Sequence, residues 1–121
     1  MKKILFVDDE TDLLKVLSMR LRKDGYEVFG AADGGEALEM ARSKEPDLIL
    51  LDVHLPVMNG DAVARILKKD GKAKTIPIIL ISADVATLEA KFKECGADGY
   101  LTKPIETRDL EDMIKKYMAG R

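Results

Sequence analysis

The sequence predicts an α/β fold, a doubly wound sheet of five parallel strands with helices on both faces. Two observations predict it. Short apolar runs alternate with helical patterns five times along the chain, the order that builds parallel sheets through helical crossovers. The third and fourth runs are also apolar at every position, as a central parallel strand buried on both sides requires. The first strand reads as Ile4 to Val7, and the helix after it carries Leu13, Leu17 and Leu21 before Asp24 and Gly25 end it. Tyr26 to Ala31 forms the second strand. Asp33, with Glu36 three residues on, begins a second helix through Ala37, Leu38 and Ala41 that stops before Pro46. Leu48 to Leu51 is the third strand, and Ala62, Val63, Ile66 and Leu67 mark the third helix. The segment Lys68 to Thr75 breaks it, and the basic cluster Arg65, Lys68, Lys69, Lys72 and Lys74, interrupted by Asp70, reads as a solvated helix end and loop. Ile78 to Ile81 is the fourth strand. Val85, Leu88, Phe92 and Cys95 align on the fourth helix, with Cys95 a small core residue. Gly99 to Leu101 is the fifth strand, and Leu110, Met113, Ile114 and Tyr117 align on the fifth helix, with Thr107 its expected N-cap.

Composition narrows the function. A chain of 121 residues fits one domain, 1–121, and its 46% hydrophobic and 35% charged residues are a globular balance. Twenty basic residues against 22 acidic ones leave no basic excess, which disfavours direct nucleic-acid binding. No apolar run approaches the ~20 residues of a membrane span. The apolar stretch after Met1-Lys2-Lys3 stops at Asp8, so no signal peptide fits, and the expected location is cytoplasmic. One cysteine and one histidine exclude an internal disulfide and a Cys/His metal cluster, so any metal must be held by oxygen. The chain ends soon after the fifth helix, an arrangement that suits a stand-alone domain and equally a piece of a longer protein.

Parallel sheets bind ligands beyond the carboxyl ends of their strands. There the sequence places Asp8 and Asp9 after the first strand, Asp52 at the end of the third, Ser82 at the end of the fourth and Lys103 after the fifth. If the first and third strands are neighbours, three carboxylates converge, and each pair at ~4 Å repels by about 4 kcal/mol at an effective dielectric of about 20. A divalent cation with oxygen ligands and the Lys103 ammonium both relieve that repulsion, and Mg2+ suits such a site because it leaves positions open for phosphate oxygens. A carboxylate beside Mg2+, a hydroxyl and a lysine is equipped to accept a phosphoryl group. Taken singly, each residue has a plainer reading. Asp8 and Asp9 would favour the start of the first helix, Ser82 would cap the fourth, Lys103 would be a surface charge, and Gly60 serves a tight loop. Their convergence on one sheet edge reverses the odds.

These residues resemble the response-regulator receiver domains of two-component signalling. The likeness covers essentially the whole chain and rests on the acidic pair, Leu50-Leu51-Asp52, the loop Leu55-Pro56-Val57-Met58-Asn59-Gly60, Ser82-Ala83 and Gly99 to Pro104. It implies a flavodoxin-like, CheY-like (βα)5 sheet in the strand order 2-1-3-4-5. It implies that Asp52 is the phosphoacceptor, taking its phosphoryl group from a sensor histidine kinase or phosphotransfer protein. Asp9 would be the chief Mg2+ carboxylate, with Asp52, the backbone carbonyl of His54, and Asp8 directly or through water; Mn2+ could substitute. Lys103 would pair with the phosphoryl group, and its bond to Pro104 would be cis. Ser82 would be the switch hydroxyl and Tyr100 the switch aromatic, though half-buried packing accounts for Tyr100 equally well. His54 and Asp84 occupy the positions that tune phosphoryl lifetime, and the output would appear on the face of helix four, strand five and helix five. Catalysis would extend only to the domain's own phosphorylation and dephosphorylation. Two other readings stand beside this one. A Mg2+-dependent phosphohydrolase would want an acid-base carboxylate two residues after Asp52, where His54 stands, and a lid that the chain lacks. A phosphorylation-independent interaction module would not need the complete acceptor set.

Overall fold

The computed structural model describes residues 2–119, so Met1, Gly120 and Arg121, with the chain termini they form, lie outside the described residues. Strands β1 (Lys3–Val7), β2 (Glu27–Ala31), β3 (Leu48–Asp52), β4 (Ile78–Ser82) and β5 (Gly99–Thr102) alternate with helices α1 (Thr11–Lys23), α2 (Gly34–Lys44), α3 (Gly60–Leu67), α4 (Val85–Cys95) and α5 (Thr107–Met118). All strand pairs are parallel, in the order β2-β1-β3-β4-β5. This is the doubly wound five-stranded sheet that the sequence predicts.

Alternation of side chains along each strand splits the apolar runs into two cores. Leu5, Val7, Ile49, Leu51, Ile78 and Leu80 face α2, α3 and α4. Ile4, Phe6, Leu48, Leu50, Ile79 and Ile81 face α1 and α5. Each of these twelve strand residues has no exposed surface, and burial of such side chains contributes about 1.5–3 kcal/mol apiece. Unbroken apolarity in β3 and β4 therefore reflects a helix layer on each side.

Local chemistry explains most boundaries. At the end of α1, Gly25 takes φ +100, Tyr26 N–H donates to the Leu21 carbonyl (3.1 Å) and Gly25 N–H to that of Arg22 (3.0 Å), a Schellman closure. At the start of α2, Asp33 Oδ1 accepts the Glu36 N–H (2.8 Å) as expected. Elsewhere the structure corrects the sequence reading. β2 starts at Glu27 rather than Tyr26, because Tyr26 is spent on the α1 closure. Thr107 is the first residue of α5, and the N-cap is Glu106, with no side-chain hydrogen bond. The core stripe of α1 passes through Leu14, Leu17 and Leu21, whereas Leu13 faces a cleft against Pro104 and Ile105. Strict i, i+4 spacing drifts around a helix of 3.6 residues per turn, so Leu13 and Leu21 do not share a face centre. Ile66 and Val85, read as facing inward, are exposed. Lys68 is not solvated: its Nζ donates to Asp98 Oδ2 (2.7 Å) and the Ile76 carbonyl (2.9 Å), tying the end of α3 to the segments that lead into β5 and β4.

Candidate functional site

Strand register brings the carboxyl ends together. Val7 pairs with Leu51, so Asp8 lies beside Asp52 where strand order reverses, the usual location of a ligand crevice. Asp52 pairs with Ile81, and Ser82 with Thr102, one residue before Lys103. The loop after β3 returns closely: Gly60 N–H donates to the Val53 carbonyl (2.7 Å). A Cβ at Gly60 would overlap the Asp52 carbonyl oxygen and lie 2.9 Å from its carbon. Glycine therefore serves this loop, as expected. Pro56-Val57-Met58 forms a γ-turn, closed by Met58 N–H on the Pro56 carbonyl (2.7 Å), that holds Val57 at φ +70, a strained angle for a β-branched residue.

Charge is concentrated and hidden. Asp8 and Asp52 are buried, Asp9 is exposed, and one oxygen from each lies within 4.8 Å of the others. Lys103 Nζ donates to Asp52 Oδ2 (3.0 Å) and to Glu10 Oε1 (3.1 Å). It also sits 3.0 Å from Asp8 Oδ2, an ion contact at an angle too poor for a hydrogen bond, so that this buried oxygen has no hydrogen-bond donor. The other oxygens are served by the backbone: Asp8 Oδ1 accepts the Glu10 N–H (2.9 Å), and Asp52 Oδ1 that of His54 (3.3 Å). Burial raises the Asp8 pKa above its ordinary value; the Glu10 N–H and Lys103 oppose that rise and the Asp52 charge adds to it. Burial alone would lower Lys103, but the neighbouring carboxylates of Asp52, Asp8 and Glu10 outweigh it and raise the ammonium's pKa.

The remaining predicted residues ring this cluster. Ser82 Oγ accepts the Asp84 N–H (3.0 Å), and Asp84 Oδ2 accepts the Thr87 hydroxyl (2.9 Å), so Ser82 makes a local turn instead of capping α4. Tyr100 points to the α4 side, 37% exposed, its ring 5.2 Å from that of Phe92 at 58°, a favourable tilted pair. The Lys103–Pro104 peptide is cis. The His54 side chain is exposed and Cys95 is buried. Asp8, Asp9, Asp52 and Lys103 are thus brought together, while Ser82 is turned to its own loop. Asp8 and Asp9 do not cap α1, whose N-cap is Glu10. Glu10 itself was not singled out by the sequence reading; the signal was its place as the third consecutive acid at the strand end.

Three carboxylates with a buried, donorless oxygen fit a hard divalent cation. The sequence matches the family described as response regulator receiver domain over residues 4–115. Solved structures agree. The chemotaxis protein CheY4 of Vibrio cholerae is 33% identical, covering 97% of this chain and 98% of its own, with a TM-score of 0.89. A receiver domain of a sensor histidine kinase from Pseudomonas aeruginosa PAO1, solved with magnesium in its active-site cleft, is 28% identical over 98% of both chains, TM-score 0.91. Response regulator TrrA of Thermotoga maritima, solved in complex with Mg(2+)-BeF, is 35% identical over 97% of this chain and 99% of its own, TM-score 0.87. Receiver domains, as a family, are signalling domains rather than conventional enzymes. The chain belongs to the response-regulator receiver domain family. Among the described residues no helix is long and apolar enough to cross a membrane.

Proposed function

We propose that this chain, acting as one receiver unit over 1–121 in the cytoplasm, accepts a phosphoryl group on Asp52 from a phosphohistidine of a sensor kinase or phosphotransfer protein. The observation that carries the reading is the buried Asp52 carboxylate, hydrogen-bonded to Lys103 and grouped with Asp8 and Asp9. An Asp52 oxygen attacks phosphorus, the P–N bond breaks, and the imidazole leaves with the bonding electron pair and takes a proton from water. Attack of water on the resulting acyl phosphate returns inorganic phosphate and the carboxylate. Little acid-base chemistry is needed; the requirement is to position the group and neutralise its oxygens.

Asp8, Asp9 and Asp52, with the His54 backbone carbonyl, would hold Mg2+, or Mn2+ with the same donors, and the bound cation would supply charge neutralisation at the phosphoryl oxygens. The magnesium and Mg(2+)-BeF of the Pseudomonas and Thermotoga relatives support this assignment. Lys103 supplies the protein's own positive charge, pairing with a phosphoryl oxygen. Ser82 exchanges its bond to the Asp84 N–H for one to the phosphoryl group, and Tyr100 follows inward, away from Phe92. Phosphorylation thereby favours a second arrangement of α4, β5 and α5, where a downstream protein reads the state. His54 and Asp84 tune the access of hydrolytic water; Asp84, held by Thr87, orients it.

Incubation with Mg2+ and acetyl phosphate tests the reading. A labile, stoichiometric adduct on the wild type that is missing from Asp52→Asn is expected. Multiple turnovers of phosphate esters would instead make the protein a phosphohydrolase, and no adduct at all would make it a phosphate-independent interaction module. Either result rejects the proposal.

A further inference from the structure

We propose that Glu10 competes with the incoming phosphoryl group for the Lys103 ammonium: it holds the ammonium at rest, yields it to the incoming group, and thereby sets how the site discriminates among phosphodonors by charge. This inference rests on the phosphoacceptor reading above.

A lysine ammonium has three N–H donors, and Lys103 Nζ has three carboxylate neighbours at 3.0, 3.1 and 3.0 Å, from Asp8, Glu10 and Asp52. A phosphoryl oxygen that approaches this crowded ammonium competes with them for it. Exposure decides which of them yields. The side chains of Asp8 and Asp52 are 0% and 5% exposed and have no water to turn into, whereas Glu10 is 63% exposed and regains water on release. Removing one partner of a buried charge pair is far more costly than breaking an exposed one. Glu10 is therefore the contact that yields.

Its backbone is fixed for this role. The Glu10 N–H is held by Asp8 Oδ1 (2.9 Å), and its carbonyl accepts the Leu14 N–H (3.0 Å) at the start of α1. The displaced carboxylate remains at the rim as a charge of the same sign as the phosphoryl group. It opposes a doubly charged donor more than a singly charged one, and salt screens the difference.

Glu10→Gln removes the charge from an exposed position and preserves the side chain's shape; Glu10→Asp keeps the charge and shortens its reach. With Mg2+ present, beryllofluoride affinity is measured by titration. Asp52 phosphorylation rates are compared for acetyl phosphate, a dianion at neutral pH, and phosphoramidate, largely a monoanion. Glu10→Gln should bind beryllofluoride about two- to fivefold more tightly and gain a similar factor with acetyl phosphate. It should gain distinctly less with phosphoramidate, and high salt should narrow the gap. Glu10→Asp should keep the wild-type ratio between donors. Unchanged beryllofluoride affinity in Glu10→Gln, or equal acceleration by both donors, overturns the inference while leaving the phosphoacceptor reading intact. A wild type that neither binds beryllofluoride nor becomes phosphorylated overturns both.

Discussion

Replacing Gly60 with alanine adds one methyl group where the loop after β3 passes over Asp52. The new Cβ would overlap the Asp52 carbonyl oxygen and lie 2.9 Å from the Asp52 carbonyl carbon and 3.1 Å from Val53 Cα. All three are backbone atoms of the strand end, so no flexible side chain can give way. Gly60 is not at positive φ, and alanine's own backbone preferences therefore do not confuse the result. Overpacking of this kind costs about 1–3 kcal/mol, and lengthening the Gly60 N–H bond to Val53 (2.7 Å) adds about 0.5–1.5 kcal/mol. The expected loss is about 2–4 kcal/mol, or about 1–2 M in urea midpoint for a slope near 2 kcal/mol/M. Because relief requires moving Asp52, phosphoryl acceptance should fall at least about tenfold even where the variant is fully folded. Urea unfolding followed by tyrosine fluorescence, with acetyl phosphate labelling under native conditions, measures both effects. Gly71→Ala is the control, since nothing lies within 4 Å of its Cβ, and it should stay within about 0.5 kcal/mol of wild type. A Gly60→Ala protein that unfolds at the wild-type midpoint and labels at the wild-type rate would refute the steric argument.

Two further perturbations bear on charge. The native pKa of Asp8 is raised from 3.8 by burial, so between these two values the folded chain binds more protons than the unfolded one, and stability falls as pH rises through that window. Metal-free Asp8→Asn should therefore be more stable than wild type at pH 7, the advantage fading as pH falls toward 3.8. Mg2+ at ten times its Kd should stabilise wild type by about 1.4 kcal/mol and Asp8→Asn much less; urea melts at several pH values, with and without Mg2+, check both. Lys68→Met should cost about 1–2 kcal/mol, because it strips the Ile76 carbonyl and the half-exposed Asp98 of a charged donor; thermal melts that superimpose on wild type would contradict the tie.

The reach of a side chain governs how much of this could be read from the sequence alone. Asp8, Asp52 and Ser82 are short residues at strand ends, so once the apolar runs are recognised as parallel strands, register alone delivers them to one rim. The two-sided burial of β3 and β4 is equally plain, because the eight apolar residues Leu48 to Leu51 and Ile78 to Ile81 leave no polar face to expose. Strand order was different: the alternation of elements permits several windings, and resemblance selected one. Helix phase was misjudged where few residues define it, as at Leu13 against Leu14 and at Ile66, since a short amphipathic stripe tolerates an error of one position. Long side chains were the least legible. Lys68 reads as one of a solvated basic cluster, yet its four methylenes carry the ammonium back to Asp98, 30 residues away; Glu10 carries no assigned role in the sequence, yet it meets Lys103 across 93 residues. In each pair the charge could have remained in water, and only the neighbouring elements decide otherwise. If Asp52 accepts a phosphoryl group as proposed, that indifference is useful: the exposed, long-armed Glu10 can turn away from Lys103 into water, which the short, buried Asp8 cannot.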